Sequence, residues 1–384
     1  MKIAHISDTH VQEGSRLDEL GSVLDAFLNE CQGMDLILHT GDVFQKKNNA
    51  TEENFFADFA RRAAEIAPLV IVKGNHDAPR DLEIFSKLET RNPIHVFERP
   101  GSVEIGDAGV IALPWFDKAH LVAQIAADID QQESARQTIE AARQMLFVMG
   151  AQVSLLKQKG LVPILAGHIL VAGSETSTGQ TLIGTTVELA AGDLLDVGAA
   201  YTALGHIHMT QDWMNGRIAY AGSPIRQNHG ETEDKGFRLI EIDGDHFRND
   251  FIKLPAREIL NLDVDWTVNV SPVGFNPSDF VDANLSGSLL RVRYRVRAQD
   301  MHLVDEEALR RMLAGRGAHS IKIEAVVVRE NRIRSEQIVA ARSSWEKVQA
   351  YWQAKGIEID DQARDRIQAK LESIENTAVK SVAA

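Results

Sequence analysis

Lys2-Ile3-Ala4-His5-Ile6-Ser7-Asp8-Thr9-His10 opens the chain, a short apolar run that ends in a polar cluster. The pattern recurs: Leu36–Leu38 leads into His39-Thr40-Gly41-Asp42, and Leu69–Val72 into Gly74-Asn75-His76-Asp77. Runs this short and this apolar have the length of buried strands, and helix-like segments alternate with them through the first half. That alternation predicts an α/β fold with a largely parallel sheet. Ligands of open α/β sheets bind beyond the carboxyl ends of the strands. The three runs are therefore expected to deliver Asp8 and His10, Asp42, and Asn75 and His76 to one edge.

The surrounding composition is that of a globular protein: 384 residues, 44% hydrophobic and 25% charged, enough for a large core and one or two smaller modules. No apolar run approaches the roughly 18 residues of a membrane span, and the N-terminus enters a strand without a signal-peptide pattern. A soluble cytoplasmic protein is expected. Cys31 is the single cysteine, so a metal here must use nitrogen and oxygen ligands. The net charge of −14 argues against a polyanionic partner. From Leu289 to Arg334, however, eleven Arg and Lys stand against six Asp and Glu, and that local excess reopens the question.

Further along, the stretch from Lys118 to Lys159 has no proline and one glycine, and its apolar stripe predicts two helices. Strand signals return at Val162–Ala166, Ala200–Leu204, Arg217–Tyr220, Phe237–Ile242 and His246–Lys253, with Asp243-Gly244-Asp245 marking a hairpin. A second sheet follows from these, and the unit closes near Pro255. A loop-rich passage then leads to a strand at Leu289–Arg297, a helix at Glu306–Leu313 and a strand at Ser320–Val328, a small α+β module. From Ser344 the pattern is helical, with Trp345, Val348 and Trp352 on one stripe and, after a break at Gly356, Ile367, Leu371 and Ile374 on another. The expected domains are 1–255, 256–335 and 336–384.

In order along the chain stand Asp8-x-His10, Gly41-Asp42, Gly74-Asn75-His76-Asp77, Gly167-His168 and Gly205-His206-Ile207-His208. Each piece alone is common by chance, but five in order are specific. With them the chain resembles the calcineurin-like metallophosphoesterases. The resemblance implies a four-layer α/β/β/α sandwich carrying two divalent metal ions. Asp8, His10 and His208 would hold one ion, Asn75, His168 and His206 the other, and Asp42 would bridge. Electrostatics agrees: two cations roughly 3.5–4 Å apart need one bridging carboxylate and several neutral donors, because more negative charge would quench their Lewis acidity. On extended backbone His206 and His208 project to the same side, so one segment can feed both ions. His76 is implied to lie outside the ligand set, protonating the leaving oxygen or stabilising the pentavalent transition state, with Asp77 orienting its ring. His5 and His39, on the strands, read as structural.

The metal signature covers many phosphate esters, so other segments must choose the substrate. Together with the opening nonapeptide and His39–Phe44, the segment Tyr220-Ala221-Gly222-Ser223-Pro224-Ile225-Arg226, running on to Lys235-Gly236-Phe237, is similar to the SbcD-type DNA repair nucleases. That resemblance implies a Mn2+-dependent exo- or endonuclease, a capping domain, and a C-terminal segment gripping an SbcC-type coiled-coil ATPase. It also implies a homodimer within a heterotetramer. Trp345, Val348, Trp352, Ile367, Leu371 and Ile374 are the candidate ATPase contacts. Arg291, Arg293, Arg295 and Arg297 would line one face of a strand, either as a DNA-backbone contact or as a solvated face. The competing readings are a stand-alone phosphodiesterase or phosphatase for small nucleotides, and a non-catalytic adaptor, which the complete ligand set opposes. One departure is Gln45, where some family members carry a histidine; Gln can donate a hydrogen bond but cannot shuttle a proton. The Gly173–Gln180 stretch reads as a loop beside the metals that shapes access, and the phenylalanines of Asn54–Phe59 read as core.

Overall fold

The computed structural model describes residues 1–14, 16–116, 131–177, 180, 188–267, 285–328 and 336–382. The first half supplies β1 (Lys2–Ile6), α1 (Leu17–Glu30), β2 (Leu36–His39), α2 (Ala50–Ile66), β3 (Leu69–Val72), β4 (Ile94–Phe97), β5 (Gly101–Ile105), β6 (Ala108–Leu113) and α3 (Gln131–Gln158). There follow β7 (Val162–His168), β8 (Leu170–Val171), β9 (Glu188–Leu189), α4 (Ala191–Asp196), β10 (Tyr201–Gly205), β11 (Gln211–Trp213), β12 (Ile218–Tyr220), β13 (Gly236–Asp243) and β14 (His246–Lys253).

Two six-stranded sheets result, ordered β14-β13-β1-β2-β3-β4 and β11-β12-β10-β7-β6-β5. Strands β1 to β4 run parallel, as do β12, β10, β7 and β6, while β13, β14, β11 and β5 close the edges antiparallel. Strand period two explains why the runs are apolar throughout: both faces of each sheet are covered. Ile3, Leu36, Leu38, Val70 and Val72 meet Ala108, Val110, Ala112, Ile164, Ala166 and Ala203 of the other sheet. The alternate residues Ala4, Ile6, Ile37, Leu69 and Ile71 pack with α1 and α2, including Phe56 and Phe59. On the far side Ile111, Leu113, Leu165 and Leu204 pack with α3 and α4. The protein is thus a mixed α/β fold, as expected, with the two sheets face to face and helices outside each. Large side chains from one sheet fit against alanines of the other, which lets the layers interdigitate.

Some expectations are refined. Residues 131–158 form one continuous 28-residue helix, and the rest of the stretch expected to hold two helices, 118–130, lies outside the described residues. Gly150 sits inside that helix without breaking it. The Asp243–His246 hairpin is present, with Gly244 at φ 56°. Beyond β14 stand β15 (Ile259–Asp265), β16 (Leu289–Arg297), α5 (Glu306–Gly315) and β17 (Ser320–Val328), the strands forming a sheet in the order β15-β16-β17. Val292, Tyr294 and Val296 are buried while the intervening arginines are not, which is the alternation expected of this strand.

By contact density the chain divides into two compact units. One comprises Met1–Leu262 with the described parts of 282–292 and 307–324; the other holds the described parts of 263–281, 293–306 and 325–384. The second unit contains α6 (Glu336–Ala340), α7 (Ser344–Lys355) and α8 (Asp361–Val382). Helix α7 starts at a capping box, Ser343 with Glu346, and stops at Gly356 in the left-handed conformation, φ 64°. On its stripe Trp345 and Trp352 meet edge to face at 5.6 Å.

Among the polar bonds between the sheets is one made by a buried histidine. His5 Nδ1 shares a 2.8 Å hydrogen bond with the Tyr201 hydroxyl, and His5 Nε2 shares a 2.9 Å bond with Thr40 Oγ1. Burial pushes the His5 imidazole down to about 3, so it is neutral and both nitrogens need partners. Tyr201→Phe should therefore cost about 1–3 kcal/mol, seen as a lower guanidinium midpoint with unchanged slope; an unaltered midpoint would deny the bond any structural weight.

Candidate metal centre

Each parallel strand hands a polar group to one edge. Asp8 and His10 follow β1, Asp42 follows β2, Asn75 and His76 follow β3, His168 ends β7, and His206 and His208 follow β10. Asp8, His10, Asp42 and His206 take positive φ, at 54°, 45°, 51° and 108°. Such backbone costs free energy and persists only where the surroundings impose it, commonly at functional sites. The glycines preceding Asp42 and Asn75 are also dictated by space. A Cβ on Gly74 would lie 2.1 Å from Asp42 Oδ1 and 2.2 Å from the Asp42 nitrogen, and one on Gly41 would lie 2.3 Å from His168 Nδ1.

All seven ligand candidates converge. His10 Nε2 and His208 Nε2 are 3.0 Å apart. Asn75 Oδ1 is 2.9 Å from both His168 Nε2 and His206 Nδ1. Between the two groups lies Asp42 Oδ2, 3.7 Å from His10 Nε2 and 3.4 Å from His168 Nε2. Asp8 joins His10 and His208 within 4.8 Å, and its carboxylate accepts the His206 backbone N–H at 3.1 and 3.2 Å. The donor set fits two divalent ions: imidazole nitrogens, an amide oxygen and carboxylates are gathered in two groups, and a single carboxylate oxygen faces both.

The electrostatics suit cations. Burial raises Asp8 to about 6 against the pull of His168 and His208, and burial with the charge of Asp42 raises Asp77 to about 7. Burial acts on Asp42 too, but His168, His10 and His76 overcome it and hold Asp42 well below the usual carboxylate range. Burial keeps His10 and His206 neutral, His206 down to about 3, as metal-binding imidazoles must be. Burial would also lower His168, yet Asp42 and Asp8 carry it up to about 9.

A sequence profile of the Calcineurin-like phosphoesterase family matches residues 1–209. The chain belongs to that family. Among curated proteins it is similar to the SbcD subunit of nuclease SbcCD from Bacillus subtilis, 30% identical over 253 residues, covering 60% of this chain and 63% of that one. The Staphylococcus epidermidis protein of the same name is 26% identical over 286 residues, 69% and 73% of the two chains. That of Rhodobacter capsulatus is 27% identical over 282 residues, 64% and 67%. The chain thus spans less than two thirds of the length of the Bacillus relative. No described helix of this phosphoesterase is long and apolar enough to cross a membrane.

The neighbours of the centre differ in part from the expected ones. His76 Nδ1 donates to the Gln45 carbonyl at 2.8 Å, and the His76 backbone N–H donates to Asp42 Oδ1 at 2.9 Å. The ring is thus oriented by Gln45, not by Asp77. Asp77 instead accepts the N–H groups of Gly74 (2.8 Å) and Phe44 (3.0 Å), clamping the loops that follow β2 and β3. His39 shares a 3.1 Å bond with Thr9 Oγ1, as befits a structural residue. Sequence reasoning placed Gln180 only in an access loop and missed Trp115 and Glu231. Gln180 donates to the His206 carbonyl at 2.7 Å and accepts the His208 N–H at 3.2 Å, fastening the segment that feeds both groups. Trp115 lies against His206, ring centres 5.0 Å apart, and its place just beyond β6 was the available signal. Glu231 accepts from His208 Nδ1 at 3.0 Å.

Because the Gly74 hydrogen faces Asp42 main chain, which cannot swing away, Gly74→Ala should displace the Asp42 carboxylate. A loss of roughly 100-fold in phosphodiester cleavage is expected, with far-UV circular dichroism unchanged; near-normal rates would remove Asp42 from the centre of the chemistry.

Proposed function

We propose that the chain is a two-metal-dependent phosphodiesterase acting on DNA, the nuclease subunit of an SbcC–SbcD-like repair complex. The observation that carries the phosphodiesterase reading is Asp42 Oδ2 placed between two sets of nitrogen and oxygen donors. Bound there, two divalent ions would activate water near neutral pH and neutralise charge developing on the phosphorus and the leaving oxygen. The chain's own contributions follow from its hydrogen bonds. With Nδ1 committed to the Gln45 carbonyl, His76 offers only Nε2 to the leaving group. That anchor is a main-chain carbonyl and does not depend on the side chain at position 45. Asp77 acts at one remove, holding Gly74 and Phe44 and so the geometry of Asn75 and His76. The N/O donor set admits several metals; Mn2+ is chosen by family resemblance.

DNA as substrate is supported by likeness to proteins named as the SbcD subunit of nuclease SbcCD. The partner reading rests on α7 and α8, where Trp345, Val348, Trp352, Ile367 and Leu371 are only part-buried and Ile374 is 55% exposed. An SbcC-type ATPase would cover them, within a heterotetramer built on a homodimer of this chain in the cytoplasm. The arginine row is less available to phosphate than its sequence implied. Arg291 pairs with Glu324 at 2.6 Å, Arg293 faces Asp263 at 3.6 Å, and Arg295 faces Asp265 at 3.7 Å. These pairings favour a solvated sheet face over a DNA contact.

End-labelled single- and double-stranded DNA should be cleaved with Mn2+, and His76→Ala should lower kcat by about 10²–10⁴-fold. Cleavage of a cyclic nucleotide with DNA left intact would overturn the substrate. Removing the residues after Arg342 should abolish co-purification with the ATPase and spare phosphodiesterase activity, whereas loss of both would mark a structural tail. Changing Arg291, Arg293, Arg295 and Arg297 to Gln should leave the salt dependence of DNA binding unaltered; a slope shallower by about 3–4 would restore them as phosphate contacts.

A further inference from the structure

Glu231 is fully buried beside the candidate centre, and its carboxylate is saturated with donors. Oε1 accepts from His208 Nδ1 (3.0 Å) and Asn228 Nδ2 (2.8 Å), and Oε2 from the Gln227 backbone N–H (3.0 Å) and Lys235 Nζ (2.7 Å). Lys235 is itself buried and donates further to Glu233 Oε1 (2.8 Å), Ser223 Oγ (3.0 Å) and the carbonyl of His208 (3.1 Å). Arg226, also buried, donates to the carbonyls of Glu231 and Glu233. Two cations and a carboxylate are thus held out of water around one histidine, a costly arrangement unless the pairing is good.

Its effect falls on one imidazole. Donating Nδ1–H to Glu231 leaves the lone pair of His208 on Nε2, the atom that faces His10 Nε2 at 3.0 Å. The other histidines are backed differently: His168 Nδ1 donates to the Thr40 carbonyl, and His10 Nδ1 is buried without a partner. Among the described residues His208 alone has a carboxylate behind it. A carboxylate behind a metal-binding imidazole fixes its tautomer and makes it a stronger donor.

We propose that Glu231 is a positioning residue for His208 that selectively tightens the metal position formed by Asp8, His10 and His208, with Lys235 holding its carboxylate in place. This rests on the two-metal reading. A carboxylate that merely braced the loop would move both metal affinities together or neither.

Calorimetric titration of the metal-free full chain with Mn2+ separates these. The wild type should show two classes of ion. Glu231→Gln should weaken one class by about 10–100-fold and spare the other, and Asn228→Ala, which loses a donor to the same oxygen without touching His208, should spare both. Equal effects on both classes, or none, would overturn the proposal; a single class in the wild type would overturn the two-metal reading and the proposal with it. If Glu231→Gln does not fold, nitrogen-15 spectra of histidine-labelled, metal-free wild type decide alone. Nδ1-protonated His208 is expected, and protonation at Nε2 overturns the assignment.

Discussion

One carboxylate oxygen of Asp42 stands within 4 Å of imidazoles delivered by both sheets, and much of the fold serves to keep it there. The sandwich brings the carboxyl edges of two parallel sheets together, so that β1, β2 and β3 meet β7 and β10 across the centre. Neither sheet alone carries a full set of donors. The alanine-rich inner face of the second sheet allows the close approach of layers on which that meeting depends.

Holding a carboxylate among imidazoles out of water carries costs that recur through the molecule. Positive φ at Asp8, His10, Asp42 and His206, and hydrogen-only positions at Gly41 and Gly74, spend conformational freedom to crowd main chain around the centre. Asp77, Gln180 and Glu231 bond to backbone or imidazole at or beside the candidate ligands, which are thus held by neighbours that do not themselves face the centre. The motif that singled out Tyr220–Arg226 and Lys235 belongs to this support: Ser223, Arg226 and Lys235 form the buried network around Glu231 and the His208 carbonyl.

The parts of this design legible in the sequence are those written locally. Strand positions followed from the lengths of apolar runs, and the polar groups gathered at one edge from the clusters at their ends, because both depend on neighbours a few residues away. The paired Gly-Asp, Gly-Asn and Gly-His steps were visible as motifs, but the reason for the glycine at Gly74 is a clash with main chain 32 residues earlier. Glu231 lies 23 residues beyond His208 with no spacing rule to connect them. The acids opposite the β16 arginines were unreadable for the same reason, since Asp263, Asp265 and Glu324 become neighbours only through the order β15-β16-β17.

The charge ladder of β16 has a kinetic consequence. With at least three of its arginines facing acids, the strand that seemed to offset a net charge of −14 projects little field of its own. A polyphosphate approaching the bare chain meets repulsion at long range and finds attraction only at the short distances where metal ions and donors act. Added salt would shorten the reach of that repulsion, about 10 Å at 0.1 M, and hasten encounter, opposite to the behaviour of a protein steered onto DNA by a basic surface.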